Sequence, residues 1–287
     1  KYVVERHADL FRGVRYAIGE GGGYTTFIAG RKFYPVMVAE KQVCSLRATV
    51  RGRAGHGSVP LRGGAMAKLA DLLHTLNRHR TPVHVTPIVR RTVETMGRAL
   101  PFPLGLALRL TLYPPLSDPL LDQIGVEGEA LSPLLRNTVS PTIVRGGNKI
   151  NVIPGEVTLE LDGRLLPGFT PQDMLDELAA LLGDEVELEV TRYDPGPPAS
   201  DMAGFDRLAE VLRQADPAGI PVPYLLSGVT DGRYFGRLGI QTYGFLPLDL
   251  PPGLVSTIHA ADERVPVEAI RSGTDVLYEA VQRLMTM

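Results

Sequence analysis

The chain has 287 residues with 30 basic and 32 acidic side chains, so its net charge is close to −2. This balance excludes a broad basic surface for nucleic acid or an anionic membrane, and no apolar run approaches the roughly 20 residues of a membrane span. The single cysteine, Cys44, excludes an internal disulfide. Within its apolar run it is typical of a small core residue, and we predict a cytoplasmic protein.

The first segment, KYVVERHADLF, has apolar residues at helical spacing but no N-cap residue ahead of them. We therefore predict a helix already in progress at Lys1 and a natural beginning upstream of it. A short strand at residues 14–18, a hairpin within residues 24–39 and an alternating strand at residues 43–50 follow. These elements predict part of a sheet that continues into a second structural module.

Residues 63–79 predict an amphipathic helix. Its apolar stripe consists of Ala65, Leu69, Leu72, Leu73 and Leu76. Residues 81–137 carry several prolines between short apolar pieces, which predicts short helices in an insertion that covers a groove or lines a pocket. Residues 138–193 then predict strand, turn, strand, helix and strand, with Thr170 as the N-cap of the helix. Together with the strand at residues 43–50, this order is β-α-β-β-α-β, a ferredoxin-like module.

Residues 194–200, DPGPPAS, predict a linker out of that module. The remaining chain alternates helix, short strand, loop, strand and final helix, which is α/β organisation. The sequence thus predicts a small α+β domain inserted into a larger α/β domain whose first half lies upstream.

His259, in STIHAADERVP, is the first candidate metal ligand, because neutral imidazole is the commonest protein ligand for zinc. Asp262 or Glu263 would orient its ring. Glu20, in GEGGG, is a carboxylate at a strand end, where glycines allow other groups to approach. The alternatives are a surface histidine for the first motif and a plain turn for the second. A phosphate loop is disfavoured at GEGGG because the Lys-Ser/Thr of a P-loop is missing.

Three further motifs carry candidate binding residues. His56, in GRAGHGSVP, is exposed by small neighbours, and a flexible turn is the alternative. Asn151 and Arg164 are expected to approach the same end of a sheet, where the amide would hydrogen-bond a substrate and the guanidinium would clamp a carboxylate. A surface or ion-paired arginine is the other interpretation. SGVTDGRYFGRLG predicts either a pocket rim with Thr230 and Arg233 or a helix N-cap at Asp231.

Taken in order, the Glu-Gly turn, GRAGHGSVP, NKINVIP, DGR, GVTDGRYF and HAADERVP resemble a known family of di-zinc metallopeptidases. The family comprises aminoacylases, acetylornithine deacetylases, succinyl-diaminopimelate desuccinylases and carboxypeptidases, and the carboxypeptidase S-like branch is the most similar. The resemblance covers essentially the whole chain. It implies the C-terminal part of a zinc-aminopeptidase-type three-layer α/β domain, residues 1–41 and 196–287. A ferredoxin-like α+β lid domain, residues 42–195 with an insertion at about 81–137, would interrupt it and form a homodimer.

The resemblance also implies a site with two zinc ions, which cobalt or manganese would replace in some enzymes. The metals would polarise the substrate carbonyl and activate a water. Glu20 is implied as a ligand of one zinc and His259 as a ligand of the other. His56 is implied as the catalytic oxyanion donor that reaches across the dimer. The implied substrate-binding residues are Asn151, Arg164, Thr230, Asp231 and Arg233.

The sequence departs from the family pattern at its beginning. In the family, the His-x-Asp motif, the bridging aspartate and the Glu-Glu pair precede the helix that here begins at Lys1, and no residues of this sequence occupy that place. We therefore expect an enzyme that cleaves an amide bond next to a free carboxylate, in an N-acyl amino acid or small peptide, here as an inactive fragment with an incomplete or empty metal site. The alternative function is a non-catalytic dimerisation or regulatory protein that retains the lid.

Overall fold

The computed structural model describes residues 1–197 and 200–286, without the side chains of residues 126 and 127. These residues form two compact units. The first unit comprises Lys1–Lys41, Val85–Leu135 and Gly196–Met287, and the second comprises Gln42–His84 and Arg136–Pro195. Part of the predicted linker, residues 198 and 199, lies outside the described residues.

The strands are β1 (Tyr16–Gly19), β2 (Thr26–Ile28), β3 (Arg31–Glu40), β4 (Gln42–Arg51), β5 (Gly55–His56), β6 (Thr138–Gly146), β7 (Val152–Ile153), β8 (Glu156–Leu165), β9 (Val186–Asp194), β10 (Ile220–Leu226) and β11 (Gln241–Gly244). The α-helices are α1 (Tyr2–Arg6), α2 (Ala65–Arg78), α3 (Pro87–Ala99), α4 (Leu104–Leu110), α5 (Pro114–Ile124), α6 (Val126–Leu131), α7 (Pro171–Leu182), α8 (Met202–Ala215), α9 (Gly232–Gly236) and α10 (Val267–Met285). Three short 3₁₀ segments, Ala8–Phe11, Ser132–Leu135 and Leu254–Thr257, complete the regular structure of these residues.

The first unit is built on a mixed sheet with the order β1-β11-β3-β10, and β2 pairs with β3. β1 is parallel to β11 and β10 is parallel to β3, whereas β11 and β3 are antiparallel. Val36, Val38 and Tyr243 are buried together with Phe205 of α8 and Ala280 of α10. Alternate residues of a strand point to opposite faces of the sheet, so this core occupies one face. The predicted α/β class is confirmed.

The helices within Val85–Leu135 belong to the first unit. Val89 and Val93 of α3 are buried, and the Thr92 hydroxyl donates to the Pro223 carbonyl of β10. The sequence places this segment as an insertion within the lid domain instead. Periodicity shows that a helix has an apolar face, but it does not show which sheet covers that face.

The second unit has an antiparallel sheet with the order β6-β8-β4-β9. Leu46 and Leu161 of the sheet are buried with Leu72 of α2 and Leu178 of α7. The order β4-α2-β6-β8-α7-β9 is the ferredoxin-like β-α-β-β-α-β arrangement that the sequence predicts. Thr170 begins α7 with a capping box, as predicted.

The second unit contains a buried thiol and an exposed edge strand. Cys44 of β4 is fully buried, and burial raises the pKa of its thiol to about 11. β6 is at the end of the sheet order, and its side chains are exposed along most of the strand. Among the described helices, none has the length and the hydropathy needed to cross a bilayer.

Candidate functional site

The Glu20 turn follows β1 and packs closely against neighbouring strands. A Cβ at Gly22 would lie 2.5 Å from the Pro35 carbonyl oxygen, and the Gly23 amide donates to that same oxygen. The chain then enters β2 rather than a helix. The glycines therefore serve backbone packing, with an amide used internally, and the exposed Glu20 side chain is the group that this turn presents. This arrangement disfavours a phosphate loop.

The loop after β10 meets the Glu20 turn. A Cβ at Gly21 would lie 3.4 Å from Thr230 Cγ2 and 3.3 Å from Met37 Sδ. A Cβ at Gly232 would lie 3.1 Å from Thr242 Cβ. Met37 and Thr242 alternate with the core residues of β3 and β11, so the Thr230–Gly232 turn lies on the sheet face opposite the main core.

Asp231 does not cap α9 with its side chain. Asp231 occupies the N-cap position, but its carboxylate makes no capping bond, and the Gly232 amide donates to the Thr230 hydroxyl at 2.9 Å. The N-cap interpretation of the aspartate is therefore wrong, because Thr230 supplies the oxygen. The Asp231 side chain is exposed at the rim of the turn. Arg233 donates to Tyr234 Oη at 2.8 Å, with its guanidinium 4.6 Å from the ring centre.

Sequence reasoning missed Glu40, the last residue of β3. Its side chain is only 5% exposed, and its Oε2 accepts a hydrogen bond of 2.5 Å from the Thr230 amide. Its Oε1 is buried and has no hydrogen-bond partner among the described residues. Burial raises the pKa of Glu40, and the hydrogen bonds from Thr230 and the nearby charge of Arg233 act against that rise. The signal in the sequence is a glutamate directly after the apolar run FYPVMVA.

His259 lies in the loop before α10 and is exposed, with a left-handed φ of 65°. Its backbone amide, not its ring, donates to Glu263 at 3.0 Å. Asp262 instead pairs with Arg264 at 2.9 Å. Neither carboxylate is hydrogen-bonded to the imidazole among the described residues, so the orientation of the ring by Asp262 or Glu263 stays a prediction.

Glu20 and His259 do not form a metal site by themselves. The part of the chain that the structure describes contains no group of three or more His, Cys, Asp or Glu side chains able to hold a metal ion. Oxygen and imidazole donors of this kind suit zinc, but a catalytic zinc site has three protein ligands and a water. The residues present therefore fit only part of a zinc site.

His56 and Asn151 come together in the second unit. β5 and β7 pair antiparallel, with His56 opposite Val152, and the Gly57 amide donates to the Asn151 carbonyl at 2.8 Å. The Ser58 amide donates to His56 Nδ1, 3.2 Å away. Ser58 Oγ lies 2.7 Å from the same ring nitrogen. Both of these contacts are made through Nδ1, and the His56 side chain is exposed.

Arg164 lies far from Asn151. Asn151 precedes β8, whereas Arg164 is near the end of β8, about 26 Å along the strand at 3.3 Å per residue. The expected approach of the two residues is therefore wrong, because most of the residues between them form one continuous strand. The arginine donates from Nε and a terminal nitrogen to both oxygens of Asp162, at 2.9 and 3.0 Å. The ion-paired interpretation of Arg164 is the one that the structure supports.

Comparison with known protein families and sequences finds relatives of one kind. Residues 38–189 match the family model of the M20 peptidase dimerisation domain. The chain is 28% identical to the N-fatty-acyl-amino acid synthase/hydrolase PM20D1 of Homo sapiens, over 88% of this chain and 51% of that protein. It is 25% identical to the probable carboxypeptidase S-like 2 of Dictyostelium discoideum, over 86% of this chain and 48% of that protein. The chain thus spans about half the length of these relatives.

Solved structures share the fold. The M20 family metallo-carboxypeptidase Sso-CP2 of Sulfolobus solfataricus matches 98% of this chain and 65% of its own, with a TM-score of 0.58 and 13% identity. Human carnosine dipeptidase 1 matches 100% of this chain and 63% of its own, with a TM-score of 0.53 and 14% identity. At this identity the likeness establishes the fold, with a lid of the dimerisation-domain type.

Proposed function

Because this chain belongs to the M20 peptidase family, we propose that it forms part of a zinc-dependent metallopeptidase or amidohydrolase. The bond cleaved is an amide next to a free carboxylate, in an N-acyl amino acid or a small peptide. The names of the relatives, an N-fatty-acyl-amino acid hydrolase and a carboxypeptidase, support this class. The observation that carries the proposal is the close approach of Gly21 to Thr230, because a Cβ at Gly21 would lie 3.4 Å from Thr230 Cγ2. The turn that presents Glu20 thus adjoins the loop that contains Arg233.

Glu20 and His259 are proposed to supply one ligand each to a pair of zinc ions. When bound, such ions polarise a carbonyl and activate a water. Two ligands fall short of a catalytic site, so we propose that the other ligands and the general base come from sequence outside these residues. Cobalt or manganese would occupy the same donor set. This chain alone is then expected to be inactive.

The remaining roles follow from the donors that each unit presents. His56 is proposed to donate from Nε2–H to the oxyanion that forms on the attacked carbonyl, with Asn151 beside it as a hydrogen-bonding group for the substrate. Thr230, Asp231 and Arg233 are proposed to line the substrate loop. Arg164 is proposed as a carboxylate clamp, a role that requires it to exchange Asp162 for a substrate carboxylate.

The test compares the complete gene product with this 287-residue chain. Both are assayed on N-acyl amino acids and dipeptides, and zinc is counted by mass spectrometry. We expect zinc and turnover in the complete protein, and loss of both in Glu20→Gln and His259→Ala. The matched control is His79→Ala, because His79 is also exposed and its ring nitrogen contacts only the Thr75 carbonyl at 3.2 Å.

Two results would overturn the proposal. Robust zinc-dependent turnover by the 287 residues alone would disprove the fragment interpretation. Absence of turnover and of zinc from the complete protein would instead favour the alternative, a non-catalytic dimerisation or regulatory protein, which the lack of a metal cluster among the described residues also fits.

We also propose that the protein is a homodimer formed through the second unit. The match to the peptidase dimerisation domain and the exposed strand β6 support this. A cytoplasmic location stays a prediction, based on the single buried thiol of Cys44.

A further inference from the structure

Glu40 connects the sheet of the first unit to the Thr230–Arg233 loop. β3 lies between β11 and β10, and its last residue, Glu40, is registered with Leu226 of β10. From that position Glu40 Oε2 accepts the Thr230 amide at 2.5 Å, across 190 positions of sequence. Because Thr230 also touches the Glu20 turn, one carboxylate fixes the backbone of the loop where it meets the candidate site.

Glu40 also lies near a charged side chain of the loop. The guanidinium of Arg233 is close enough for its charge to favour the ionised form of Glu40. The hydroxyl of Tyr234 accepts from the arginine at 2.8 Å, and the guanidinium lies 4.6 Å from the centre of the Tyr234 ring. Arg233 is thus held by its neighbour in the chain, near a carboxylate that is 5% exposed.

We infer that Glu40 is a positioning residue for substrate binding. It holds the Thr230–Arg233 loop in the geometry that receives the free carboxylate of the substrate. The kinetic test of this inference rests on the proposed function, whereas the hydrogen bond between Glu40 and the Thr230 amide is tested without substrate. Glu40 does not touch the reacting atoms in this scheme, because its Oε2 is occupied by the Thr230 amide and its side chain is buried.

The kinetic consequence is a change in KM. A loop that binds the substrate carboxylate acts equally on the bound substrate and on the transition state, and loss of such binding raises KM with kcat unchanged. For Glu40→Leu in the complete zinc-loaded protein we expect KM for dodecanoyl-leucine to rise about tenfold, with kcat changed less than twofold, and for Glu40→Gln we expect a smaller rise because glutamine keeps an oxygen for the Thr230 amide. The effect should be absent with the carboxamide of the same compound, which has no carboxylate to receive.

The variants separate the two actions of Glu40. Glutamine keeps an oxygen for the Thr230 amide but has no charge for Arg233, whereas leucine removes both. Hydrogen–deuterium exchange of residues 228–236 in the 287-residue chain needs no substrate. We expect exchange to be at least tenfold faster in Glu40→Leu and much less affected in Glu40→Gln.

The control is Glu177→Gln in the second unit. Glu177 is also a largely buried carboxylate, and it accepts from Asn137 at 2.8 Å and contacts His84 at 2.7 Å. This change should lower stability without altering exchange in residues 228–236 or KM.

The outcomes distinguish the contact of Glu40 with the loop from its role in substrate binding. Unchanged exchange in Glu40→Leu overturns the inference, whatever the activity of the protein. An active complete protein whose Glu40→Leu variant has the wild-type KM for dodecanoyl-leucine also overturns it. Faster exchange in Glu40→Leu, in a complete protein that turns over no N-acyl amino acid or dipeptide, confirms the contact but rejects the substrate role together with the proposed function.

Discussion

Asp216 shows how a single carboxylate stabilises the first unit. It accepts from Tyr34 Oη at 2.9 Å and from Lys32 Nζ at 3.0 Å, and both donors lie on β3. Burial acts to raise the pKa of Asp216, but the bonds from Lys32 and Tyr34 outweigh it and lower the pKa below its ordinary value. The ionised carboxylate is therefore the form that folding stabilises.

The stability conferred by Asp216 is expected to depend on pH. A lowered folded pKa gives stabilisation that is complete above the unfolded value of about 3.9 and is lost as the pH falls through the folded value. Asp216→Asn should lower the free energy of unfolding by about 1–2 kcal/mol at pH 7. Urea unfolding at pH 7 and at pH 2.5 measures this. A wild-type–variant difference of the same size at both pH values would contradict the assignment.

Residue type alone predicted part of the candidate site. Glu20, His56 and Thr230 were identified because carboxylates, imidazoles and hydroxyls among glycines suit metal or substrate binding. Glu40 was missed because nothing in its local sequence reveals a partner 190 positions away. The expected approach of Asn151 and Arg164 was wrong because most of the residues between them belong to the continuous strand β8.

At the scale of elements, the turn between β1 and β2 depends on close backbone approach. Gly22 faces the Pro35 carbonyl and the Met37 amide, whereas Gly19 faces only Thr242 Cγ2 at an ordinary 3.7 Å. Both glycines flank Glu20 closely, yet their surroundings differ. This contrast provides a matched pair of substitutions within one turn.

Gly22→Ala should destabilise the first unit, and Gly19→Ala should not. A Cβ at Gly22 would lie 2.5 Å from a carbonyl oxygen that belongs to a central strand and has little room to move. Overpacking of this kind costs about 1–3 kcal/mol, and we expect less than about 0.5 kcal/mol for Gly19→Ala. Thermal unfolding followed by circular dichroism compares the two. Equal melting temperatures would show that the turn relaxes freely.

The type of a helix or strand was easier to predict from the sequence than the sheet against which it packs. Alternation predicted the strands of the ferredoxin-like module, and Thr170 was identified as the N-cap of α7 from local sequence. The assignment of α3 to a unit was not predictable, because its apolar stripe of Val89 and Val93 would fit either sheet. Tertiary contacts with β10 decide it.

At the scale of the whole molecule, the two units are predicted to contribute differently. The first contains the proposed metal ligands Glu20 and His259, and the second contains His56 together with the strand β6 proposed for dimerisation. Ile143 and Val144 of β6 are 45% and 51% exposed. An exposed apolar edge strand favours pairing with another chain.

Charged substitutions on β6 should therefore prevent dimerisation. We expect Ile143→Lys combined with Val144→Glu to give a monomer in sedimentation equilibrium, with the melting temperature of the second unit little changed. Tyr278→Lys on α10, which replaces a large side chain that is 67% exposed, should remain dimeric. A dimer that persists in the double variant would place the interface elsewhere.

The buried thiol of Cys44 gives this protein its own unfolding reporter. Alkylating reagents attack thiolates, and a fully buried cysteine with a pKa of about 11 offers almost none at pH 8. Short iodoacetamide pulses along a urea series should therefore label only molecules whose second unit has opened, and mass spectrometry counts a single adduct because the sequence has one cysteine. Labelling in the absence of urea at the rate of a free thiol would disprove the burial. The stability of the second unit can thus be measured without any engineered probe.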